Sequence, residues 1–281
     1  MPTTHPLRFF KEILNEDIGS GDITSTLLIP ATSQSSAKIV AKADGVVSGL
    51  RLIPALLAAY RSRISVRPLM KDGQRVRAGD TVAELEGKTR DILTLERTLL
   101  NLLQQLSGTA TLTRQYVDAV NRTSAHILDT RKTVPGMRAL QKKAVLDGGG
   151  YNHRFGLHDM VLIKDNHLAH HQNTPLHQLI KTMRKQIPSG MKIEIEVDSL
   201  EMLERAIACP VDIIMLDNFS VAQAQKAVKI IRSSKKKVLI EVSGNITLKN
   251  VLQYAKIGVD RISVGALTHS ARAVDIALDF E

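Results

Sequence analysis

The second half of the chain repeats one pattern of apolar and polar positions. A short β-branched run is followed by polar chemistry at its far end and then by a helix-length segment. Six runs follow it: HILDTRK (126–132), MVLIKDNH (160–167), IEIEVDS (193–199), DIIMLDN (212–218), VLIEVSGN (238–245) and DRISVG (260–265). Helical spacing fills the intervals at 138–147, 176–186, 199–208, 220–233 and 247–257, and a last helix is expected at 269–279. Strands alternating with helices predict a parallel sheet that curls into a barrel, with an active site at the C-terminal strand ends. Since six strands are visible rather than the eight of a closed barrel, the fold class is α/β with an incomplete, open α/β barrel.

Alternation within IEIEVDS puts Ile193, Ile195 and Val197 on one face and Glu194, Glu196 and Asp198 on the other. In a central barrel strand the apolar face packs on helices, so the acids face the axis, where an unpaired charge is costly. Glu194, Asp129 and Glu241 lie deeper along their strands and are expected in structural ion pairs. Glu196 and Asp217 lie nearer the mouth and suit a ligand or Mg²⁺.

The first half reads differently. Residues 6–16 are helical, EDIGSGDITS breaks that helix, and residues 35–88 form short strands with turns at Asp44-Gly45, Asp72-Gly73 and Ala78-Gly79-Asp80 around a helix in LIPALLAAY. This predicts an N-terminal α/β sandwich domain of biotinyl type without its function, since Lys71 only begins a turn. Residues 90–120 give the longest helical pattern, with an apolar stripe of Leu95, Leu99, Leu102, Leu103 and Leu106 and a polar one of Arg97, Asn101 and Gln105. Gly108 suggests that it divides into two helices. The expected domains are 1–115 and 116–281, with a tail near 270–281 that packs back on the first.

Composition narrows the class. The net charge of +10 admits nucleic acid, an anionic membrane or small anions as partners. The single basic run, Lys235-Lys236-Lys237, sits in a connector, and the other cations of interest stand singly at strand ends, which favours small anions over nucleic acid. No apolar run approaches the ~18 residues of a membrane span, no signal peptide is read, and the lone Cys209 belongs in the core, so a cytoplasmic protein is expected.

Several segments carry candidate anion-binding chemistry. GGGYNHRFG places His153-Arg154 after three glycines that permit close backbone approach, and Lys164 ends the next strand. Ser243-Gly244-Asn245 and Gly265 through His269 each follow a strand and are expected to open helices, whose amides together make a phosphate site. His167, His170 and His171 have metal-like spacing but lie in a surface loop without a matching acid.

DTRKTVPGMRALQKKAV, GGGYNHRFGLHDMVLIKDNH, IEVDSLE, MLDNFS, IEVSGNI and GVDRISVGALTHS occur in this order, with EDIGSGDITS and LERTLLNLLQQLSGTAT before them. Together they resemble quinolinate phosphoribosyltransferase, the decarboxylating enzyme of NAD synthesis, over nearly the whole chain. Val134 stands where Thr is commoner, and the loop 169–175 is extended. The resemblance implies quinolinate and 5-phosphoribosyl-1-pyrophosphate as substrates and Mg²⁺ as cofactor. It implies that Arg131, His153 and Arg154 bind quinolinate, joined by Arg97 from the neighbouring subunit of a homodimer, and it leaves hexamers open. It places Lys132 and Lys164 near the substrate and the pyrophosphate, and Lys132, Glu196 and Asp217 in catalysis. Glu196 and Asp217 are implied on the ribose hydroxyls and on Mg²⁺, the metal held mainly through substrate and water. Ser243, Gly244, Asn245, Gly265 and His269 fall in the implied 5-phosphate cradle. The alternatives are the molybdenum-transport-associated homologue, nicotinate phosphoribosyltransferase, and a non-enzymatic anion-binding protein, which would not explain acids aligned at strand ends.

Overall fold

The computed structural model describes residues 6–171 and 173–281; Gln172, within the extended loop 169–175, lies outside the described residues. The first elements in chain order are α1 (Pro6–Ile18), α2 (Ile23–Leu28), β1 (Gln34–Ala41), β2 (Gly45–Val46), α3 (Ile53–Tyr60), β3 (Ser65–Pro68), β4 (Arg75–Val76), β5 (Thr81–Lys88) and α4 (Thr89–Val120). There follow β6 (His126–Leu128), α5 (Arg138–Asp147), β7 (Val161–Ile163), α6 (Asp165–Leu168), α7 (Leu176–Gln186), β8 (Ile193–Val197) and α8 (Leu200–Ile207). The last are β9 (Ile213–Asp217), α9 (Val221–Ser233), β10 (Leu239–Ser243), α10 (Val251–Lys256), β11 (Arg261–Ser263), α11 (Ala266–His269) and β12 (Ile276–Phe280). No described helix is long and apolar enough to cross a membrane.

The chain forms two compact units. One comprises the described residues up to Leu112 together with Ala139–Gly149 and Ala271–Glu281; the other comprises Thr113–Arg138 and Gly150–Ser270. The sequence pattern put the boundary at 115/116 and left α5 with the barrel. Instead, Asp147 at the end of α5 accepts Ser48 Oγ at 2.8 Å and pairs with Arg51 at 3.0 Å, within the first unit.

The first unit is built on an antiparallel sheet of order β12-β1-β5-β3, with a β2–β4 ribbon beside it. Antiparallel strands layered with helices are the α/β arrangement expected for this domain. Leu95, Leu99, Leu102, Leu103 and Leu106 of α4 are buried and Arg97, Asn101 and Gln105 exposed, as their spacing dictates. Gly108 does not divide α4. A β-carbon there would overlap the Arg272 carbonyl, so the glycine serves a close approach of backbone. The helix expected at 269–279 is absent: α11 ends at His269, and β12 pairs antiparallel with β1, Ile276 opposite Ala41. Val274 and Ile276 alternate into the core, a period-2 signal that the helical spacing masked.

The second unit carries the predicted parallel sheet, in the order β6-β11-β10-β9-β8-β7. β6 and β7 stand at its two edges, and the barrel is open between them. Tyr151 forms a parallel bridge to Leu128 on the β6 side. At the opposite, N-terminal end of the strands an arginine clamp occurs twice. Arg184 of α7 donates to the Met191 and Pro210 carbonyls and to Asp212 at 2.6 Å, and the Asp212 carboxylate accepts the Ile193 amide. Arg232 of α9 does the same with the Val238 and Gly258 carbonyls and Asp260 at 2.8 Å, and Asp260 accepts the Ile240 amide. Each clamp fastens a helix end to two strand starts.

Candidate active site

The C-terminal ends of the parallel strands gather the candidate residues of the second unit. Arg131 and Lys132 leave β6, Lys164 follows β7, Glu196 lies one residue before the end of β8, Asp217 ends β9, Ser243 ends β10, and Gly265 follows β11. Strand register explains one contact directly. Ile163 is paired with Ile195, so the next residues, Lys164 and Glu196, are cross-strand neighbours, and Nζ meets Oε1 at 2.5 Å.

Below this rim His153 is buried, with Nε2 3.0 Å from Glu194 and 3.3 Å from Glu241. Both carboxylates are fully buried, as the inward parity of β8 requires. Glu241 is held by Arg261 Nε at 2.6 Å and Ser263 Oγ at 2.5 Å, and Asp129 accepts the His153 amide at 2.8 Å. Burial alone would lower the His153 pKa, but Glu194 and Glu241 outweigh it and push it up to about 9. Burial and the nearby Glu241 charge raise Glu194; Glu241, although burial pushes it up too, is brought below its usual value by His153, Arg261 and Ser263. The Arg154 backbone nitrogen lies 2.8 Å from Nδ1. His153 is thus buried, with Nε2 turned to the two carboxylates.

Arg131 and Arg154 are partly exposed above this triad. Burial, then the Arg131 charge, pulls the Arg154 pKa down, as expected of two guanidinium groups held close together. Arg154 Nη1 is anchored on the Met160 carbonyl at 3.2 Å, and the Nε of Arg131 is buried without a hydrogen-bond partner. Two crowded cations, one with an unsatisfied donor, suit a ligand that brings two negative groups.

On the other side of β6, Lys132 and His269 flank Gly265, where a β-carbon would touch both side chains. Thr268 Oγ1 donates to the Lys132 carbonyl at 2.7 Å and fixes that segment against α11. Gly265 opens α11 as expected, but Ser243-Gly244-Asn245 opens no helix. Gly244 (φ 90°) and Asn245 (φ 53°) turn in the left-handed region, and α10 begins only at Val251. Asn218, at φ 55° after β9, joins this turn: its amide donates to the Ser243 carbonyl at 2.9 Å, its Oδ1 accepts Asn245 Nδ2 at 3.3 Å, and its Nδ2 donates to Asp217 at 2.9 Å. Asn218 is not singled out by the sequence pattern; an asparagine directly after a strand's terminal aspartate is the signal for it. The glycines 148–150 serve structure: Gly149 (φ 86°) ends α5, its amide on the Leu146 carbonyl.

Among the described residues, the one cluster close enough to hold a metal is His153, Glu194 and Glu241, and its groups are already engaged with one another and with Arg261. His167 Nδ1 instead accepts the Lys164 amide at 3.0 Å, and His170 and His171 are exposed. Arg97 belongs to the first unit, on α4, exposed and 3.8 Å from Glu96.

Two family models match the chain: "Quinolinate phosphoribosyl transferase, N-terminal domain" over residues 22–107 and "Quinolinate phosphoribosyl transferase, C-terminal domain" over residues 109–279. The chain belongs to the quinolinate phosphoribosyltransferase family. A probable nicotinate-nucleotide pyrophosphorylase [carboxylating] of Methanocaldococcus jannaschii is 43% identical over 98% of this chain and 97% of its own. The nicotinate-nucleotide pyrophosphorylase [carboxylating] of Mycobacterium leprae is also 43% identical, over 96% of this chain and 95% of its own. Among solved structures, the nicotinate-nucleotide pyrophosphorylase from Francisella tularensis superimposes with a TM-score of 0.91 at 40% identity, covering 100% of this chain and 98% of that one. A human nicotinic acid phosphoribosyltransferase, at 15% identity and a TM-score of 0.63, shares the fold alone.

Proposed function

We propose that the enzyme transfers the phosphoribosyl group of 5-phosphoribosyl-1-pyrophosphate to quinolinate, releasing pyrophosphate, nicotinate mononucleotide and CO₂. The observation that carries this within the family is the Arg131–Arg154 pair, two crowded guanidinium groups with an unsatisfied donor at the mouth of the barrel. Quinolinate offers two adjacent carboxylates, and each can be gripped in a bidentate fashion. The buried His153 triad supports the segment from below, so that binding does not have to order it.

Bound there, the pyridine nitrogen attacks the anomeric carbon as the bond to pyrophosphate breaks, through an oxocarbenium-like state. The ring nitrogen becomes cationic, the 2-carboxylate leaves as CO₂, and the resulting ylide is protonated at that carbon. Lys132, beside Gly265 and His269, faces the phosphate side and stabilises the developing negative charge. Lys164, paired with Glu196, holds that acid at the ribose hydroxyls. Glu196 and Asp217 lie on adjacent strands at the accessible rim and are the oxygen ligands suited to Mg²⁺, which prefers one or two carboxylates plus phosphate and water. When bound, Mg²⁺ neutralises charge on the leaving pyrophosphate. Gly244, Asn245, Asn218 and Gly265 line the turns assigned to the 5-phosphate.

The active form is a homodimer in which Arg97 reaches the partner's quinolinate site. Its exposed position on a helix that otherwise packs its leucines, and the exposed apolar side chains Ile23, Leu27 and Leu28 of α2, support that assembly. A cytoplasmic setting suits a single, buried cysteine, Cys209. The test compares quinolinate with nicotinate as acceptor, at matched Mg²⁺ and phosphoribosyl pyrophosphate. Nicotinate mononucleotide from quinolinate only is expected; product from nicotinate only would reassign the chain to the acceptor lacking the 2-carboxylate.

A further inference from the structure

Arg138 touches neither the buried triad nor the phosphate turns. Its guanidinium spans the two segments that carry the anion-binding cations. Nε donates to Thr133 Oγ1 at 3.0 Å, Nη2 to the Arg131 carbonyl at 3.3 Å and Nη1 to the Phe155 carbonyl at 3.1 Å. The first two acceptors lie on the segment leaving β6, beside Arg131 and Lys132. The third lies on the segment before β7, directly after Arg154. The Leu128–Tyr151 bridge and the His153 amide bond to Asp129 join the two segments lower down, before Arg131 and Arg154.

Each segment is also fastened on its own outer side. Thr268 holds the Lys132 carbonyl at 2.7 Å, and the Asp159 carboxylate accepts the Phe155 and Gly156 amides at 2.6 and 2.9 Å. Arg138 ties the segments to each other across the gap. Arg131 and Arg154 repel, so without a cross-tie the two segments gain by drawing apart. A planar guanidinium, with five donors in a fixed fork, can hold three acceptors on two chains at one spacing; a lysine ammonium cannot.

We propose that Arg138 is a positioning residue that fixes the separation of Arg131 and Arg154, and so selects a ligand with two neighbouring carboxylates. This rests on quinolinate being the substrate bound by that pair. The test is steady-state kinetics on the full-length enzyme, varying quinolinate and phosphoribosyl pyrophosphate separately, with melting temperatures alongside. Arg138→Lys keeps the charge and loses the fork; Thr133→Val removes one acceptor and provides a second, milder variant should the first fold poorly. The expected result is a rise in KM for quinolinate of about 10- to 100-fold in Arg138→Lys, and a smaller rise in Thr133→Val. The KM for phosphoribosyl pyrophosphate and the melting temperature stay near the wild-type values. Unchanged KM for quinolinate overturns the proposal. So does a parallel rise in both KM values with a lowered melting temperature, which would make Arg138 a general support of the fold. A wild-type enzyme that forms no nicotinate mononucleotide from quinolinate overturns the substrate assignment and this inference together, before any variant is compared.

Discussion

Lys132 leaves the end of β6 exposed, beside Gly265 and His269, and its carbonyl rather than its ammonium is tied to Thr268. In the proposed role, removing the side chain costs the fold little and the transition state much. Lys132→Ala is expected to lower kcat by roughly 100-fold or more while the melting temperature stays unchanged; full activity would remove Lys132 from the mechanism. His153 makes the opposite case. Its pKa is raised from 6.5 to about 9 in the folded protein, so its contribution to stability is complete below pH 6.5 and is lost as pH rises towards 9. Wild-type melting temperature should fall across that window, and His153→Phe, although less stable at pH 6.5, should show a flatter profile. An identical slope in both proteins would dissociate the triad from the pH response. Residue chemistry was partly legible in the sequence. Period-2 alternation alone directed Glu194 inward, and the pattern marked Glu241 as deep. That both meet His153 was not legible, because the loop from Gly150 to Met160 has no periodicity to orient a side chain.

Six parallel strands could be read from β-branched runs and their spacing, and five of the intervening helices from their period of 3.6. Two failures have physical causes. The 269–279 segment carries both periods, and pairing with β1 decided for strand. Gly108 looks like a break because sequence cannot tell a helix terminus from a site of close backbone approach. Gly108→Ala should consequently destabilise the protein by about 1–3 kcal/mol, read as a shift in denaturant midpoint, although alanine is the better helix former. At the N-terminal end of the barrel, the repeated Arg184–Asp212 and Arg232–Asp260 clamps join elements the sequence could not relate, since each spans two connectors. Asp212→Ala leaves the Ile193 amide and Arg184 without their acceptor, at an expected cost of about 1–3 kcal/mol with unaltered KM values. A changed KM there would mean the two ends of the strands are coupled.

At the scale of the whole molecule, the proposed dimer draws one complete site from two copies. Arg97→Ala and Lys132→Ala should each be nearly inactive alone. Mixed and allowed to exchange subunits, they should recover about a quarter of wild-type activity, because half the dimers are mixed and each mixed dimer contains one intact site. No recovery with demonstrated exchange would place Arg97 in its own chain's site. The most direct test of the central claim uses quinolinate labelled in its 2-carboxylate, with phosphoribosyl pyrophosphate and Mg²⁺, following nicotinate mononucleotide and labelled CO₂ in the same reaction. Equal amounts of both are expected at every time point. Folded enzyme that releases neither, or that forms a nucleotide without releasing the label, would contradict it.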